Sequence, residues 1–132
     1  MTTLQIAEAH ITNIGKPIEK QSTEIYSCNV VTHFPFAPTG HTSELIGAQK
    51  LTKFLAAIGE FTIGHKIKDK QVSLTESGFL IQYTETSVFK STGNNYESQI
   101  LWIATIQDQN IQTLAEYYNP INVLQALGDF PE

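Results

Sequence analysis

The sequence predicts an α+β fold, because the spacing of its apolar residues changes once along the 132 residues. Before Phe61 the apolar residues recur at helical spacing, and after it they recur at every second position. Helices followed by a run of neighbouring strands are typical of a mostly antiparallel sheet covered by helices on one face. At this length we expect one domain over residues 1–132.

In the first half of the chain, glycine and proline residues mark where the predicted helices begin and end. We expect a helix over 4–10, a second that Pro17 opens and that extends to about Ser27, and a third over 47–58. The third is the clearest, since Leu51, Leu55 and Ile58 share one apolar stripe and Gly59 is a stop signal. Short strands over 28–34 and 41–45 flank a Pro-rich loop between the second and third helices.

The remaining residues alternate between apolar and polar side chains. The predicted strands cover 61–67, 71–76, 79–90, 95–107 and 110–118, and a short helix over 121–127 follows them. Turns are expected at Asp69–Lys70, Ser77–Gly78, 92–95 and 107–110. Strands of about ten residues twist strongly, so we expect the sheet to bend around the helices.

Composition excludes several kinds of function. The net charge is −5, with eight lysines and no arginine, so a nucleic-acid surface is not expected. Cys28 is the single cysteine, and no secretory signal or membrane-spanning run is present, so we expect a cytoplasmic protein that does not bind membranes. No phosphate loop or metal-ligand spacing is found, and we therefore expect neither cofactor nor metal.

Three segments, in this order, resemble the nuclear-transport-factor-2-like (NTF2-like) superfamily and its SnoaL-like branch. The first runs from the loop Phe34-Pro35-Phe36-Ala37-Pro38 to the helix ending in Lys53-Phe54-Leu55, and the second is Thr92-Gly93-Asn94-Asn95-Tyr96. The third runs from Ile111 through Glu116-Tyr117-Tyr118-Asn119-Pro120 to Gly128, and it is most similar to the phenazine-biosynthesis A/B-type proteins.

This resemblance implies a cone-shaped fold, in which a curved sheet wraps around N-terminal helices and leaves a pocket between them. It also implies a homodimer formed through the sheet. The superfamily includes ketosteroid-isomerase-like isomerases, polyketide cyclases, dehydratases and non-catalytic binding proteins, so fold alone does not assign the activity. In the phenazine-biosynthesis relatives, a glutamate in the segment that matches Glu116 transfers a proton with the help of a histidine.

Glu116 is the main candidate for chemistry. It lies in an alternating strand among apolar and aromatic neighbours, and a carboxyl buried there would have a pKa raised towards neutrality. The alternative is a surface carboxylate paired with a lysine. His65 is the candidate helper, because Phe61, Ile63 and Ile67 share its strand face, although a structural histidine would fit the same pattern.

Further polar and aromatic residues are candidates for lining a ligand pocket. Alternation places some of them on one face of the strand 95–107, and others on the face of the strand 79–90 that also carries Glu85. Simple core packing would explain the same pattern. The candidates are Tyr26, His33, Tyr83, Tyr96, Ser98, Trp102 and Tyr118.

Two functions remain open from the sequence. The first is cofactor-free proton transfer, such as isomerisation, cyclisation or dehydration, on a compact cyclic or carbonyl-containing molecule. The second is a non-catalytic ligand-binding or dimeric interaction module. A cavity in which Glu116 and a histidine or tyrosine converge would favour the enzyme. A Glu116 that faces solvent or pairs with lysine would favour the binding module.

Overall fold

The computed structural model describes residues 1–129, which form six strands and three helices. The helices are α1 (Thr3–Asn13), α2 (Ala48–Phe61) and α3 (Pro120–Leu127). The strands are β1 (Tyr26–His33), β2 (Glu44–Ile46), β3 (Thr62–Leu74), β4 (Gly78–Phe89), β5 (Asn95–Gln107) and β6 (Asn110–Tyr117).

All six strands belong to one sheet, in the order β2-β1-β6-β5-β4-β3. Only β1 and β6 run parallel, and every other neighbouring pair is antiparallel. The helices α1 and α2 pack on one face of this sheet, and α3 lies against the ends of β4 and β5. The predicted α+β class with a mostly antiparallel sheet is thereby confirmed.

The inner face of the sheet and the helices enclose the hydrophobic core. Alternate residues of β4 and β5 are buried, from Phe79 to Phe89 and from Tyr96 to Ala104, as the two-residue period predicts. The helix α1 contributes Ile6 and Ile11, and a capping box between Thr2 and Gln5 fixes its first turn. The backbone amides of Thr2 and Gln5 are therefore satisfied without help from the sheet.

The predicted second helix, from Pro17 to about Ser27, is wrong. The chain instead makes two short 3₁₀ turns, Ile18–Lys20 and Thr23–Ile25, and enters β1 at Tyr26. The side chain of Asn13 both accepts from the Ser22 amide and donates to the Ser22 carbonyl. These bonds hold the segment against the end of α1, so its backbone is not free to form a longer helix.

Gly59 does not end the third predicted helix, because α2 continues to Phe61. Its role is close packing: a Cβ at Gly59 would lie 2.2 Å from the carbonyl oxygen of Gly15. The Gly15 amide also donates to the Leu55 carbonyl, at 2.9 Å. The loop after α1 therefore rests directly on the backbone of α2, and only glycine at position 59 permits the contact.

The structure joins two predicted strands into the single strand β3. In place of a turn at Asp69–Lys70, Asp69 adopts a φ of +57°, and the register with β4 shifts between Lys68 and Gln71. A second register shift, between Ile63 and Lys66, contains Gly64 with a φ of +67°. Irregularities of this kind bend a strand and redirect its side chains, and the second one determines the orientation of His65.

Candidate functional site

A cavity of about 220 Å³ lies between the inner face of the sheet, the C-terminal half of α2, the Pro-rich loop and α3. Its wall is rich in aromatic residues, and it also carries several titratable side chains. The aromatic residues are Phe34, Phe54, Phe61, Phe89, Tyr96 and Tyr118. The titratable groups besides the tyrosines are His41, Glu85 and Glu116.

The carboxyl of Glu116 is buried at this cavity. Glu116 lies on β6 opposite Trp102 of β5, and 6% of the residue is exposed. Within residues 1–129 no hydrogen bond or ion pair engages its carboxyl group. Burial raises the pKa of Glu116 well above its ordinary value, and the nearby charge of Glu85 raises it further. The protonated form of Glu116 therefore persists to a higher pH than that of an ordinary glutamate.

The second buried carboxyl, Glu85, belongs to a pair. It lies on β4 opposite Ser98, and the Nε2–H of His65 donates to its Oε1 across 2.6 Å. The β3 irregularity at Gly64 turns His65 towards this position. The backbone of Gly15 then covers the ring, because a Cβ there would come within 3.2 Å of the histidine Nδ1. Glu85 is therefore held in place, whereas Glu116 has no such partner in residues 1–129.

Behind the cavity, Tyr83 and Trp102 form a buried donor–acceptor pair. The indole N–H of Trp102 donates to the Tyr83 hydroxyl oxygen at 2.8 Å, and both side chains lie in the core. The pKa of Tyr83 is raised by burial and by the carboxylates of Glu116 and Glu85. The phenol therefore stays protonated, and its own O–H remains available to a neighbouring acceptor.

Two other tyrosines present hydroxyl groups at the cavity. Burial and the charge of Glu85 raise the pKa of Tyr96, and burial and the charge of Glu116 raise that of Tyr118. Both phenols therefore remain hydrogen-bond donors across the physiological pH range. The ring of Tyr96 also packs on Phe89, with the ring centroids 5.0 Å apart, which fixes its orientation.

The helix α3 closes one side of the cavity with Val123 and Leu127. Its last turn is tied to the β4–β5 turn, since the Thr92 hydroxyl donates to the Ala126 carbonyl at 2.6 Å. The Asn122 amide donates to the hydroxyl of Ser98 at 3.2 Å. Two polar contacts therefore hold this wall against the sheet.

The structure brings some of the sequence candidates to the cavity and places others elsewhere. Glu116, Tyr96 and Tyr118 line it, and His65 reaches it through Glu85. Ser98 is not among its lining residues, and its hydroxyl accepts from the Asn122 side chain of α3 beside a separate pocket. Tyr83 and Trp102 lie in the core behind it.

Two candidates are remote from the cavity. His33 is exposed on β1, and its Nδ1 lies 3.4 Å from a carboxylate oxygen of Glu44. The Tyr26 hydroxyl lies in the core, where it receives the Asn13 amide and contacts the Nδ1 of His10 at 2.7 Å. Burial lowers the pKa of His10 to about 3, so this cluster is neutral. Its polar atoms serve the packing of α1 on the sheet.

The phenylalanines of the wall are absent from the sequence candidates, and the pairing of Glu85 with His65 is not predicted either. Because alternate residues of a strand share a face, the sequence places Glu85 on the same face of its strand as Tyr83. This is the one sequence signal that links Glu85 to the candidate residues. Its pairing with His65, twenty positions earlier, depends on an irregular register that no periodic pattern reveals. The phenylalanines come from a loop, a helix and a strand, so only the folded chain brings them together.

The outer face of the sheet carries a larger groove, of about 720 Å³. Its wall includes Gln82, Gln99, Leu101 and Tyr117, and neither buried glutamate is part of it. Among residues 1–129, no three His, Cys, Asp or Glu side chains cluster as the ligands of a metal ion would. No helix of these residues has the length and apolar character needed to cross a membrane.

Neither a protein-family model nor a curated protein matches the chain, but solved structures do. A proposed isomerase from Bacillus subtilis superposes with a TM-score of 0.82 at 20% identity, over 98% of each chain. A phenazine biosynthesis-related protein from Pseudomonas aeruginosa gives 0.76 at 16% identity, over 98% of this chain and 85% of its own.

A third match is a protein with a ketosteroid-isomerase-like fold from Catenulispora acidiphila, solved in complex with trimethylamine. It gives a TM-score of 0.78 at 11% identity, over 99% of this chain and 100% of its own. Other matches include proteins described as NTF2-like and as SnoaL-like polyketide cyclases. At these identities the likeness concerns the fold, and it agrees with the order of strands and helices in this chain. The chain therefore has the fold of the NTF2-like superfamily.

Proposed function

We propose that the cavity catalyses cofactor-free proton transfer next to a carbonyl or enol group of a compact cyclic molecule. Isomerisation, cyclisation and dehydration all proceed through such a step. The observation that carries the proposal is Glu116: a buried carboxyl without a partner in residues 1–129, with a raised pKa, at the wall of a cavity. Perturbed groups of this kind are concentrated at catalytic sites.

In the proposed step, the carboxylate of Glu116 removes a proton from the carbon next to the carbonyl. The electron pair of that C–H bond forms the enolate, and the new carboxylic acid later returns the proton to the same or another carbon. The hydroxyl groups of Tyr96 or Tyr118 donate to the enolate oxygen. One such donor is typically worth about 3–4 kcal/mol of transition-state stabilisation.

The pair of Glu85 and His65 supplies a second site for a proton in the same cavity. Glu85 lines the wall and His65 donates to it, so a proton leaving a substrate hydroxyl or reaching a leaving group has a place to go. Glu85 also keeps the pKa of Glu116 high through its charge. Two carboxyls in unlike environments are a usual arrangement for separate acid and base roles.

The size of the cavity limits the substrate to a small molecule. An apolar cavity of about 150 Å³ holds benzene, and this one measures about 220 Å³. A single substituted ring therefore fits, whereas a steroid-sized skeleton requires the walls to move. The fold shared with a proposed isomerase and with proposed polyketide cyclases supports the same reaction class.

A non-catalytic binding module is the alternative function. The observation that favours it is the aromatic residues in the wall, which would hold an apolar ring without any reaction. The position of Glu116 favours the enzyme, since a carboxyl buried at a cavity without a partner in residues 1–129 is costly to keep for binding an apolar ring alone.

Hydrogen–deuterium exchange of small cyclic ketones tests the proposal. Cyclohexanone and cyclohex-3-enone are incubated in D₂O with the protein, and loss of the α-proton signals is followed by NMR. We expect catalysed exchange by the wild type and a reduction of about 10²–10⁴-fold in Glu116→Gln, the usual range for a general base.

The surface variant His33→Gln is the matched control and should exchange at the wild-type rate. Equal exchange by Glu116→Gln and the wild type would remove Glu116 from the mechanism. Binding of the ketones without any exchange would favour the binding module.

A further inference from the structure

Acidic side chains outnumber basic ones in the described part of the cavity wall. Two carboxyls, Glu85 and Glu116, face the cavity, and none of its lining residues is a lysine. The chain contains no arginine. Within the described part of the wall, only the half-buried His41 of the Pro-rich loop can carry a positive charge. An anionic ligand would therefore find only the imidazole of His41 to compensate its charge among the described residues of this wall.

The aromatic rings of the wall form two packed groups. Phe61 packs edge-to-face on Phe89 with centroids 5.4 Å apart, and Phe89 packs on Tyr96 at 5.0 Å. On the opposite side, Phe34 and Phe54 lie 4.8 Å apart. Rings around a cavity attract a cation by the negative charge of their π faces, and cages of aromatic residues recognise ammonium groups in this way.

We propose that this cavity is selective for small organic cations, namely protonated amines and quaternary ammonium compounds. Scaling from benzene in about 150 Å³, a volume of about 220 Å³ accommodates roughly nine non-hydrogen atoms. The proposal names the class of ligand for the cavity described above, so it rests on the proposed function for the place of the site. Charge selectivity is nevertheless measurable as binding, without any turnover.

A bound cation has a consequence for Glu116. A positive charge beside the carboxyl favours the ionised form, so binding lowers the pKa of Glu116 from its raised value and releases a proton. The affinity for a permanently charged ligand should therefore increase as the pH rises towards the pKa of Glu116 in the free protein. In this way the substrate itself converts Glu116 into the base that the reaction needs.

Other groups around Glu116 also affect this titration. They come from β3, β4, β5, the Pro-rich loop and the segment after β6. These groups are His65, Tyr83, Glu85, Tyr96, His41 and Tyr118.

Three molecules of nearly the same shape test the selectivity: choline, its uncharged analogue 3,3-dimethylbutan-1-ol, and the anion 3,3-dimethylbutanoate. Isothermal titration calorimetry with the complete chain at several pH values gives each affinity. We expect choline to bind at least about tenfold more tightly than the alcohol, and the anion to bind most weakly. The affinity for choline should rise with pH, whereas that for the alcohol should not.

Two variants test the residues. Glu116→Gln should abolish the pH dependence of choline binding, and Phe89→Leu should weaken choline binding more than alcohol binding. Thermal unfolding confirms that each variant is folded, and the Tyr117→Phe change on the outer face is the control. Equal affinities for choline and the alcohol, tighter binding of the anion, or binding of none of the three at millimolar concentration would overturn the proposal.

The cation-site proposal and the proposed catalysis can each fail without the other. Selective choline binding without ketone exchange would refute the catalysis and leave the cation site intact. Ketone exchange that depends on Glu116, without any preference for choline, would refute the cation site and leave the catalysis intact.

Discussion

Both the proposed catalysis and the proposed cation binding depend on the side-chain carboxyl of Glu116. Burial disfavours its charge and Glu85 adds a second negative charge nearby, so the folded protein binds a proton at Glu116 more tightly than the unfolded chain does. The sequence leaves open whether this residue is buried or exposed, because both faces of its strand carry apolar as well as polar side chains. It does not predict the pairing of Glu85 with His65, because that contact depends on the irregular register at Gly64.

The raised pKa of Glu116 makes stability depend on pH in a defined direction. Its contribution is full below the unfolded-state value of about 4.5 and is lost as the pH rises through the folded-state pKa. Each unit of pKa difference corresponds to about 1.4 kcal/mol of unfolding free energy. We expect Glu116→Gln to match the wild type near pH 4 and to become the more stable protein by pH 8, as measured by urea unfolding.

Taking the difference between the two proteins at each pH cancels the titration of groups that do not interact with Glu116. A difference that does not change with pH, or a wild type that gains stability over the variant at pH 8, would show that Glu116 is not a destabilised carboxylate.

At the scale of elements, the site depends on how α2 and the loop after α1 support β3. Gly15 covers the ring of His65 and is itself in contact with Gly59 of α2. The sequence predicts the helix from its apolar stripe but interprets Gly59 as its end, since a contact between two backbones leaves no periodic pattern. The predicted turn at Asp69–Lys70 is wrong for a related reason. A β-bulge and a turn favour the same residue types, so the sequence does not distinguish between them.

Gly59→Ala should disturb this support. The new methyl group would collide with the Gly15 carbonyl, at 2.2 Å, and backbone must move to relieve it. Overpacking of this kind costs roughly 1–3 kcal/mol, which exceeds the gain of about 1 kcal/mol from replacing glycine in a helix. We expect a net loss of stability in urea unfolding, together with a changed His65 ring signal in NMR.

The neighbouring variant Glu60→Ala, on the exposed side of α2, is the control and should stay within about 0.5 kcal/mol of the wild type. A Gly59→Ala protein as stable as the wild type would contradict the close contact between the two backbones.

At the scale of the whole molecule, the sheet has two different faces. The inner one is covered by helices, and the outer one carries the groove and the partly exposed Ile103. The sequence predicts which face is inner, because alternation persists through β4 and β5. It cannot predict the cavity, whose wall combines residues from a loop, two helices and four strands.

We propose that the outer face joins two copies of the chain in a homodimer. Leu101 and Ile103 lie on this face, and an apolar surface there is covered when two sheets pack together. Sedimentation velocity at micromolar concentration should give the mass of a dimer, and Ile103→Lys should shift it towards the monomer. A wild type that sediments as a monomer would contradict this prediction.

The central claim is that Glu116, at the wall of the cavity, still holds its proton at a pH at which an ordinary glutamate has lost it. A ¹³C NMR titration of the side-chain carboxyl signals, with Glu116 assigned from its absence in Glu116→Gln, measures this directly. We expect a titration midpoint well above 4.5, and a lower midpoint in Glu85→Gln, which removes the neighbouring charge. A Glu116 midpoint at or below 4.5 would contradict the account.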